Sequence, residues 1–190
     1  MTYTEPHTLP PEHDPAPGWG QSLAGGAAGL ALLHVVYARA GMGDWATAHQ
    51  WVKAMTRGSV AADPGACLYQ GAPAVAYVLR TAGLPAYSGV LRELDQHIVA
   101  ITRTRLEAAH ERIDCGELAT LREFDLINGL TGLAVYLLQA VHTDPTHPGG
   151  DPLRDVLAYL VRLTEPVLVD GEPLPGWWSA APPTDQPAGD

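Results

Sequence analysis

The segment EFDLING, residues 123–129, is the part of the chain whose residue types and spacing are best suited to chemistry. Its central acid, Asp125, stands just before a strongly apolar run that has the composition of a buried helix. A carboxylate in that position can accept hydrogen bonds from the first turn of the helix, a cap worth about 1 kcal/mol. The same carboxylate can act as a general acid or base, or orient a substrate, if it faces a cleft. Both roles remain open from the residues alone.

The eight histidines and two cysteines do not indicate a metal site within the chain. Cys67 and Cys115 form no CxxC motif and no Cys/His pair, so they are interpreted as ordinary reduced thiols. His34 lies within an apolar helix, where a core histidine is more common than a metal ligand. His147 lies in a polar stretch and is expected to be exposed. The sequence therefore predicts no metal ligands.

The charge balance excludes two classes of partner. Twenty-one acidic side chains stand against eleven basic ones, which gives a formal charge of −10, and Lys53 is the single lysine. No basic cluster is available to neutralise phosphates, so nucleic acid and anionic membranes are not expected partners. The N-terminal residues lack the basic and apolar regions of a signal peptide. The longest apolar stretch, residues 23–38, is too short to span a bilayer. The sequence predicts a cytoplasmic protein.

Proline and helical periodicity divide the chain into three parts. Five prolines lie between Pro6 and Pro17 and five between Pro173 and Pro187, a distribution typical of tails or loops. We therefore expect a Pro-rich N-terminal tail over residues 1–18, a helical-hairpin repeat domain over 19–169 and a Pro-rich C-terminal segment over 170–190. Within the repeat domain the pattern predicts six helices, near residues 22–40, 44–56, 70–82, 87–111, 127–141 and 152–164.

The six helices alternate between two chemical types, and those of one type repeat in sequence. The first, third and fifth are apolar nearly all round, whereas the second, fourth and sixth are amphipathic. SLAGGAAGLALL, LYQGAPAVAYVL and LINGLTGLAVYLL align with Gly26, Gly71 and Gly129 in register, at intervals of 45 and 58 residues. Each interval accommodates two helices and two loops, so the sequence predicts an all-α fold of three αα hairpins with inner and outer helices.

Trp177 and Trp178 are conspicuous because they lie in the Pro-rich segment LPGWWS, where no helix can bury them. Adjacent aromatic side chains in such a place either cover the open end of a core or line a binding surface. The sequence leaves both interpretations open.

Together, these segments resemble the N-terminal half of lanthionine synthetase C-like proteins, the lanthipeptide cyclases. GWGQSLAGGAAGLALL, LYQGAPAVAYVL, FDLINGLTGLAVYLL and LPGWWS occur in that order, and FDLINGLTG is the most specific of them. The resemblance implies an incomplete α/α toroid, with three of the family's seven hairpins. It also implies a catalytic role for Asp125, because Asp125 and Gly129 match the family's Asp-x-x-x-Gly motif. Asn128, Trp177 and Trp178 are then candidates to line the substrate site.

The family's activity is the addition of peptide Cys thiols to dehydroalanine or dehydrobutyrine, which forms thioether rings. The resemblance implies a dehydrated precursor peptide as substrate, and a lanthipeptide dehydratase or a C-terminal cyclase half as further partners. It implies zinc for a full-length member, held by two cysteines and one histidine that follow the point where this sequence stops. We therefore expect a fragment, a truncated product or half of a two-chain enzyme, which is inactive alone.

Two other functions remain open. A non-catalytic module of the same fold could hold a precursor peptide or a dehydratase on its concave face. An α/α glycosidase would need paired acids on the loops of its inner helices, and Glu123 and Asp125 alone lie close together in such a loop.

The missing ligands give a first prediction. Purified from zinc-supplemented medium, the chain should hold far less than one zinc per molecule by elemental analysis, because structural and catalytic zinc sites need three or four suitable side chains. One equivalent of zinc that survives dialysis against a chelator would contradict this prediction.

Overall fold

The computed structural model describes residues 9–179, which are mostly helical. Parts of both predicted Pro-rich segments, residues 1–8 and 180–190, lie outside the described residues. Among residues 9–179 no helix is both long and apolar enough to cross a membrane. The elements are α1 (Ala27–Arg39), α2 (Trp45–Met55), α3 (Ala72–Ala82), α4 (Ser88–Asp114), α5 (Leu121–Phe124), α6 (Leu130–Thr143), α7 (Gly150–Arg162), β1 (Pro166–Val169) and β2 (Glu172–Pro175).

The chain divides into two compact units, Met1–Ile98 and Val99–Asp190. In the first unit, α1 packs against both α2 and α3. In the second unit, α6 packs against α7 and against the short helix α5. The all-α class is confirmed, and each of the six predicted helices is present. The predicted boundaries after residues 18 and 169, and the closure of the hairpins toward a toroid, stay predictions.

Burial follows the predicted alternation of helix types. No residue of α3 is exposed, and its alanines and valines are almost completely buried. α1 is buried apart from one side, where Leu33 and Val36 are exposed, and α6 likewise exposes Val135 and Leu138. The amphipathic helices bury one face only. In α7, for example, Val156 and Tyr159 are fully buried.

The three repeat glycines are the N-cap residues of α1, α3 and α6, and each is pressed against the loop that precedes its helix. A Cβ on Gly26 would lie 1.8 Å from the Trp19 carbonyl oxygen, and one on Gly129 would lie 2.2 Å from the Asp125 nitrogen. A Cβ on Gly71 would lie 2.6 Å from a backbone oxygen, and φ there is +80°, which favours glycine. The glycines therefore recur in the sequence because a loop folds tightly over the start of each of these helices.

This packing shifts two helix starts from their predicted positions. α1 begins at Ala27 and α6 at Leu130, five and three residues later than the periodicity predicts. The apolar residues before each glycine continue the hydrophobic pattern, but they lie in the turn that folds over the helix. Periodicity alone cannot distinguish these residues from the helix itself.

The structure also contains a β-hairpin that the sequence analysis did not predict. β1 pairs antiparallel with β2, and the two residues between them, Asp170 and Gly171, have φ values of +52° and +84°. Two left-handed residues in a two-residue loop form the turn typical of tight hairpins. The prolines of this stretch suggested a loop. In the ladder they occupy the pairs Pro166↔Pro175 and Leu168↔Pro173, in which the backbone N–H groups point away from the partner strand and no donor is needed. The pairs Val167↔Leu174 and Val169↔Glu172 contain no proline.

The glycine packing gives the second prediction. Gly26→Ala should destabilise the protein by about 2 kcal/mol or more, since the added methyl group meets backbone that cannot move without distorting the loop. Gly25→Ala is the matched control, because nothing lies within 4 Å of a Cβ at that position. Its effect should stay within about 0.5 kcal/mol. Urea unfolding midpoints measure both, and equal effects would show that the loop does not constrain the helix start.

Candidate functional site

Asp125 lies in the turn between α5 and α6. One carboxylate oxygen, Oδ1, accepts hydrogen bonds from the backbone N–H groups of Asn128 at 2.5 Å and Gly129 at 3.1 Å. The other oxygen, Oδ2, lies 3.5 Å from the Asn128 side-chain nitrogen. Asp125 therefore accepts backbone hydrogen bonds, but from the two residues before α6 and not from its first turn, which has no side-chain cap, and it uses mainly one of its two oxygens. Asn128, predicted to line the site, lies beside Asp125.

Side chains outside the turn fix its backbone. Arg105 of α4 donates through Nη2 to the carbonyl of Asn128 at 2.6 Å and to that of Arg122 at 3.2 Å. The Thr131 hydroxyl donates to the Phe124 carbonyl at 2.5 Å. One guanidinium thus bridges the two ends of the segment that carries Asp125, and the position of the carboxylate depends on α4.

Glu123 anchors the same segment on its other side. Its carboxylate forms two charge-assisted hydrogen bonds with Arg112, both 2.8 Å long, and accepts a third, 2.6 Å long, from the Tyr159 hydroxyl. The side chains of Arg112 and Glu123 are only 11% and 17% exposed. Burial, and then the Glu123 carboxylate, raise the pKa of Tyr159 above its usual range, so this hydroxyl remains a donor. Glu123 is therefore a structural anchor rather than the second acid of a glycosidase pair.

The other two repeats show that the architecture does not require an acid at position 125. Four residues before the N-cap glycine, the first repeat has Ser22 and the second has Cys67. None of the three helices that follow the repeat glycines has a side-chain cap hydrogen bond. The first two repeats therefore begin their helices at the corresponding glycine without an acid. The carboxylate of Asp125 is thus an addition to the repeated fold.

Exposed apolar side chains flank this carboxylate. Leu126 and Ile127, which follow Asp125 directly, are each about half exposed. Trp177 and Trp178 follow β2 and are 49% and 51% exposed, which favours a binding surface over a cover for the core. The structure places the two tryptophans after the hairpin, and the turn that holds Asp125 and Asn128 does not include them. Their role in lining the site stays a prediction.

The described residues do not fit a metal site. Among residues 9–179 no three or more His, Cys, Asp or Glu side chains are grouped closely enough to hold an ion. His34 is buried and stacks on Trp51, as a core histidine does. The expectation for His147 is wrong, because it is buried and its Nδ1 accepts a hydrogen bond from the Gly149 N–H. Cys67 and Cys115 are free thiols.

Sequence reasoning missed three residues that position the site. Arg105 and Tyr159 belong to predicted outer helices, where charged and aromatic residues are ordinary, and Arg112 lies one residue beyond the predicted end of the helix over 87–111. The available signal was the spacing of the two arginines, since residues seven apart lie on one face of a helix. Nothing in the sequence indicated that this face meets the segment that carries Asp125.

Comparison with protein families identifies a relationship for most of the chain. The family model described as "Lanthionine synthetase C-like protein" matches residues 17–180. The matched region contains the three repeat glycines, the Asp125 turn and both tryptophans. None of the curated proteins compared with the chain matches it.

The anchoring of Glu123 gives the third prediction. Glu123→Gln should destabilise the protein by about 2 kcal/mol or more, because it leaves the poorly exposed Arg112 without its counter-charge. Asp151→Asn removes an acid from another Arg pair, but Arg154 and Asp151 are 75% and 74% exposed, so its effect should stay within about 1 kcal/mol. Urea unfolding measures both. Equal effects would contradict the anchoring role.

Proposed function

We propose that this chain, which belongs to the lanthionine synthetase C-like family, contributes the Asp125 turn to an enzyme that forms thioether rings in peptides. The substrate class is a dehydrated precursor peptide that carries Cys thiols and dehydroalanine or dehydrobutyrine. One observation above all supports the proposal. The first two repeats form without an acid at this position, yet Asp125 is present in the third. The segment that carries it is held by Arg105 at Asn128 and by Arg112 at Glu123.

The geometry suits a carboxylate that handles a proton. Oδ1 is engaged by two backbone N–H groups, which fixes the orientation of the side chain. Among residues 9–179, the one hydrogen-bond contact of Oδ2 is the 3.5 Å approach of the Asn128 amide, so we take Oδ2 as the oxygen that a substrate would reach. Addition of a thiol to a dehydroamino acid forms a bond from sulfur to the β-carbon and transfers one proton from sulfur to the α-carbon. In this proposal Asp125 accepts or returns that proton.

Zinc enters the proposal only through the resemblance. A bound metal would supply a lower pKa for the peptide thiol. The described residues do not fit a zinc site, so its ligands would have to come from elsewhere. The contribution proposed for this chain is limited to the carboxylate and the surface beside it.

A second candidate function is a non-catalytic module that binds a precursor peptide or a dehydratase. The half-exposed Leu126, Ile127, Trp177 and Trp178 favour it, because apolar side chains on a surface are typical of peptide contacts. This function needs no acid at position 125. Replacement of Asp125 therefore distinguishes the two candidates.

The fourth prediction tests the catalytic role. The chain is co-expressed with the remaining part of a family member, and ring closure on a dehydrated precursor peptide is followed by mass spectrometry. Asp125→Asn preserves the shape and much of the capping ability but removes the charge and the proton-accepting capacity. We expect a loss of at least about tenfold in rate, which corresponds to about 1.4 kcal/mol of transition-state stabilisation, with the melting temperature almost unchanged.

Asp63→Asn is the matched control. Asp63 lies in the loop before α3 and also accepts a backbone hydrogen bond, from Gly65 N–H at 2.8 Å. It should cyclise the peptide as fast as the parent. Asp125→Asn at full rate would reduce Asp125 to a cap. Peptide binding without ring closure by the parent assembly would favour the binding module.

A further inference from the structure

The two edges of the β1–β2 hairpin differ in their capacity to bind another strand. In an antiparallel ladder, residues of alternate pairs direct their N–H and C=O groups away from the partner strand. The pairs Leu168↔Pro173 and Pro166↔Pro175 must be these outward pairs, because proline has no N–H to donate. The outer edge of β2 therefore has no donor. The outer edge of β1 retains one donor, the Leu168 N–H, with the carbonyls of Leu168 and Pro166 as acceptors.

The surroundings of the β1 edge are open and of mixed polarity, because Arg112, Asp114 and Glu165 line the adjacent cavity together with its apolar residues. Leu168 is 73% exposed. A cavity of about 480 Å³ lies against β1, and Ile113, Leu163 and Val167 contribute its apolar lining. The guanidinium of Arg162, which also lines this cavity, is paired with Asp114. A side chain on an added strand would thus meet apolar groups, with the charge of Arg162 neutralised by Asp114.

Acidic side chains stand at both ends of β1. Glu165 directly precedes the strand and Asp170 directly follows it, and both are exposed. Neither forms an ion pair with another residue between positions 9 and 179. An extended segment that spans β1 would therefore be favoured by a basic residue at each end, where opposite charges would meet.

We propose that the β1 edge binds an extended peptide segment with an apolar centre and a basic residue on each side, as a third strand. Its central residue would pair with Leu168, donating its N–H to the Leu168 carbonyl and accepting from the Leu168 N–H. A second copy of this chain is a poorer occupant. Pairing β1 with β1 across Leu168 would place Glu165 of each copy one position away from Asp170 of the other, and like charges so close together repel each other. The inference is independent of the proposed cyclase chemistry.

The test uses the full chain and a blocked hexapeptide of lysine, threonine, valine, threonine, threonine and lysine. In antiparallel pairing its valine lies opposite Leu168 and its lysines lie opposite Asp170 and Glu165. Titration followed by amide NMR should give saturable shifts centred on Leu168, together with slower hydrogen exchange of its N–H. A peptide with glutamates in place of both lysines should bind at least about fivefold more weakly, by the loss of complementary charge. Equal binding of the two peptides, or shifts that leave Leu168 unaffected, would overturn the proposal.

Leu168→Pro is the decisive variant. It removes the outward donor but none that faces β2, and β2 already carries prolines at its outward positions. We expect at least about a tenfold loss of peptide affinity, whereas Leu168→Val, which keeps the donor, should bind within about threefold of the parent. Wild-type affinity in Leu168→Pro would contradict strand addition. Self-association that Leu168→Pro abolishes would instead make a second copy the occupant.

A modified peptide keeps the test independent of hairpin stability. Methylation of the valine nitrogen removes the donor to the Leu168 carbonyl while the protein stays unchanged. This peptide should bind at least about tenfold more weakly than the unmodified one. Equal affinities would rule out pairing with β1, even if the Leu168→Pro variant failed to fold.

Discussion

The fold depends on a close contact between backbone and backbone at the start of each apolar helix. Trp19, Ala61 and Asp125 place main-chain atoms where a side chain at Gly26, Gly71 or Gly129 would begin. Because glycine alone has no Cβ, these positions admit no other residue without movement of the loop. This constraint sets where each helix begins. It also explains why the sequence repeats at the glycines more faithfully than at the apolar positions, where side chains of similar volume can replace one another.

The Asp125 turn is built on this contact and then reinforced by long-range partners. The glycine allows the turn to fold onto the helix, and Asp125 satisfies the two backbone N–H groups that the fold directs toward it. Arg105 joins the carbonyls on either side, while Arg112 and Tyr159 hold Glu123. In the proposed function, a carboxylate held in this way loses little conformational freedom when a substrate binds, and this favours proton transfer. The turn lies within residues 17–180, the region that the lanthionine synthetase C-like family model matches.

The hairpin shows how proline can shape a surface instead of disrupting it. Proline is tolerated in a strand where its missing N–H would have faced outward. In β2 both prolines occupy such positions, so they leave the ladder intact and close one edge to further pairing. The other edge, with the exposed Leu168, stays available. The high proline content of this stretch predicted a loop. That prediction missed the hairpin because proline content does not indicate whether each proline nitrogen faces the partner strand or points away from it.

The sequence by itself determined the all-α class, the six helices, the repeat glycines and the candidate acid. These features are local: helical periodicity, the alternation of apolar and amphipathic segments and the Asp-x-x-x-Gly spacing all lie within a few residues. The tertiary structure decided the later starts of α1 and α6, the hairpin, the burial of His147 and the partners of Glu123. Tyr159 is 36 residues from Glu123 in sequence, and Arg105 is 23 from Asn128. Such pairs depend on how the helices pack. The periodicity of a helix indicates which of its faces is buried, but not which residue of another segment that face contacts.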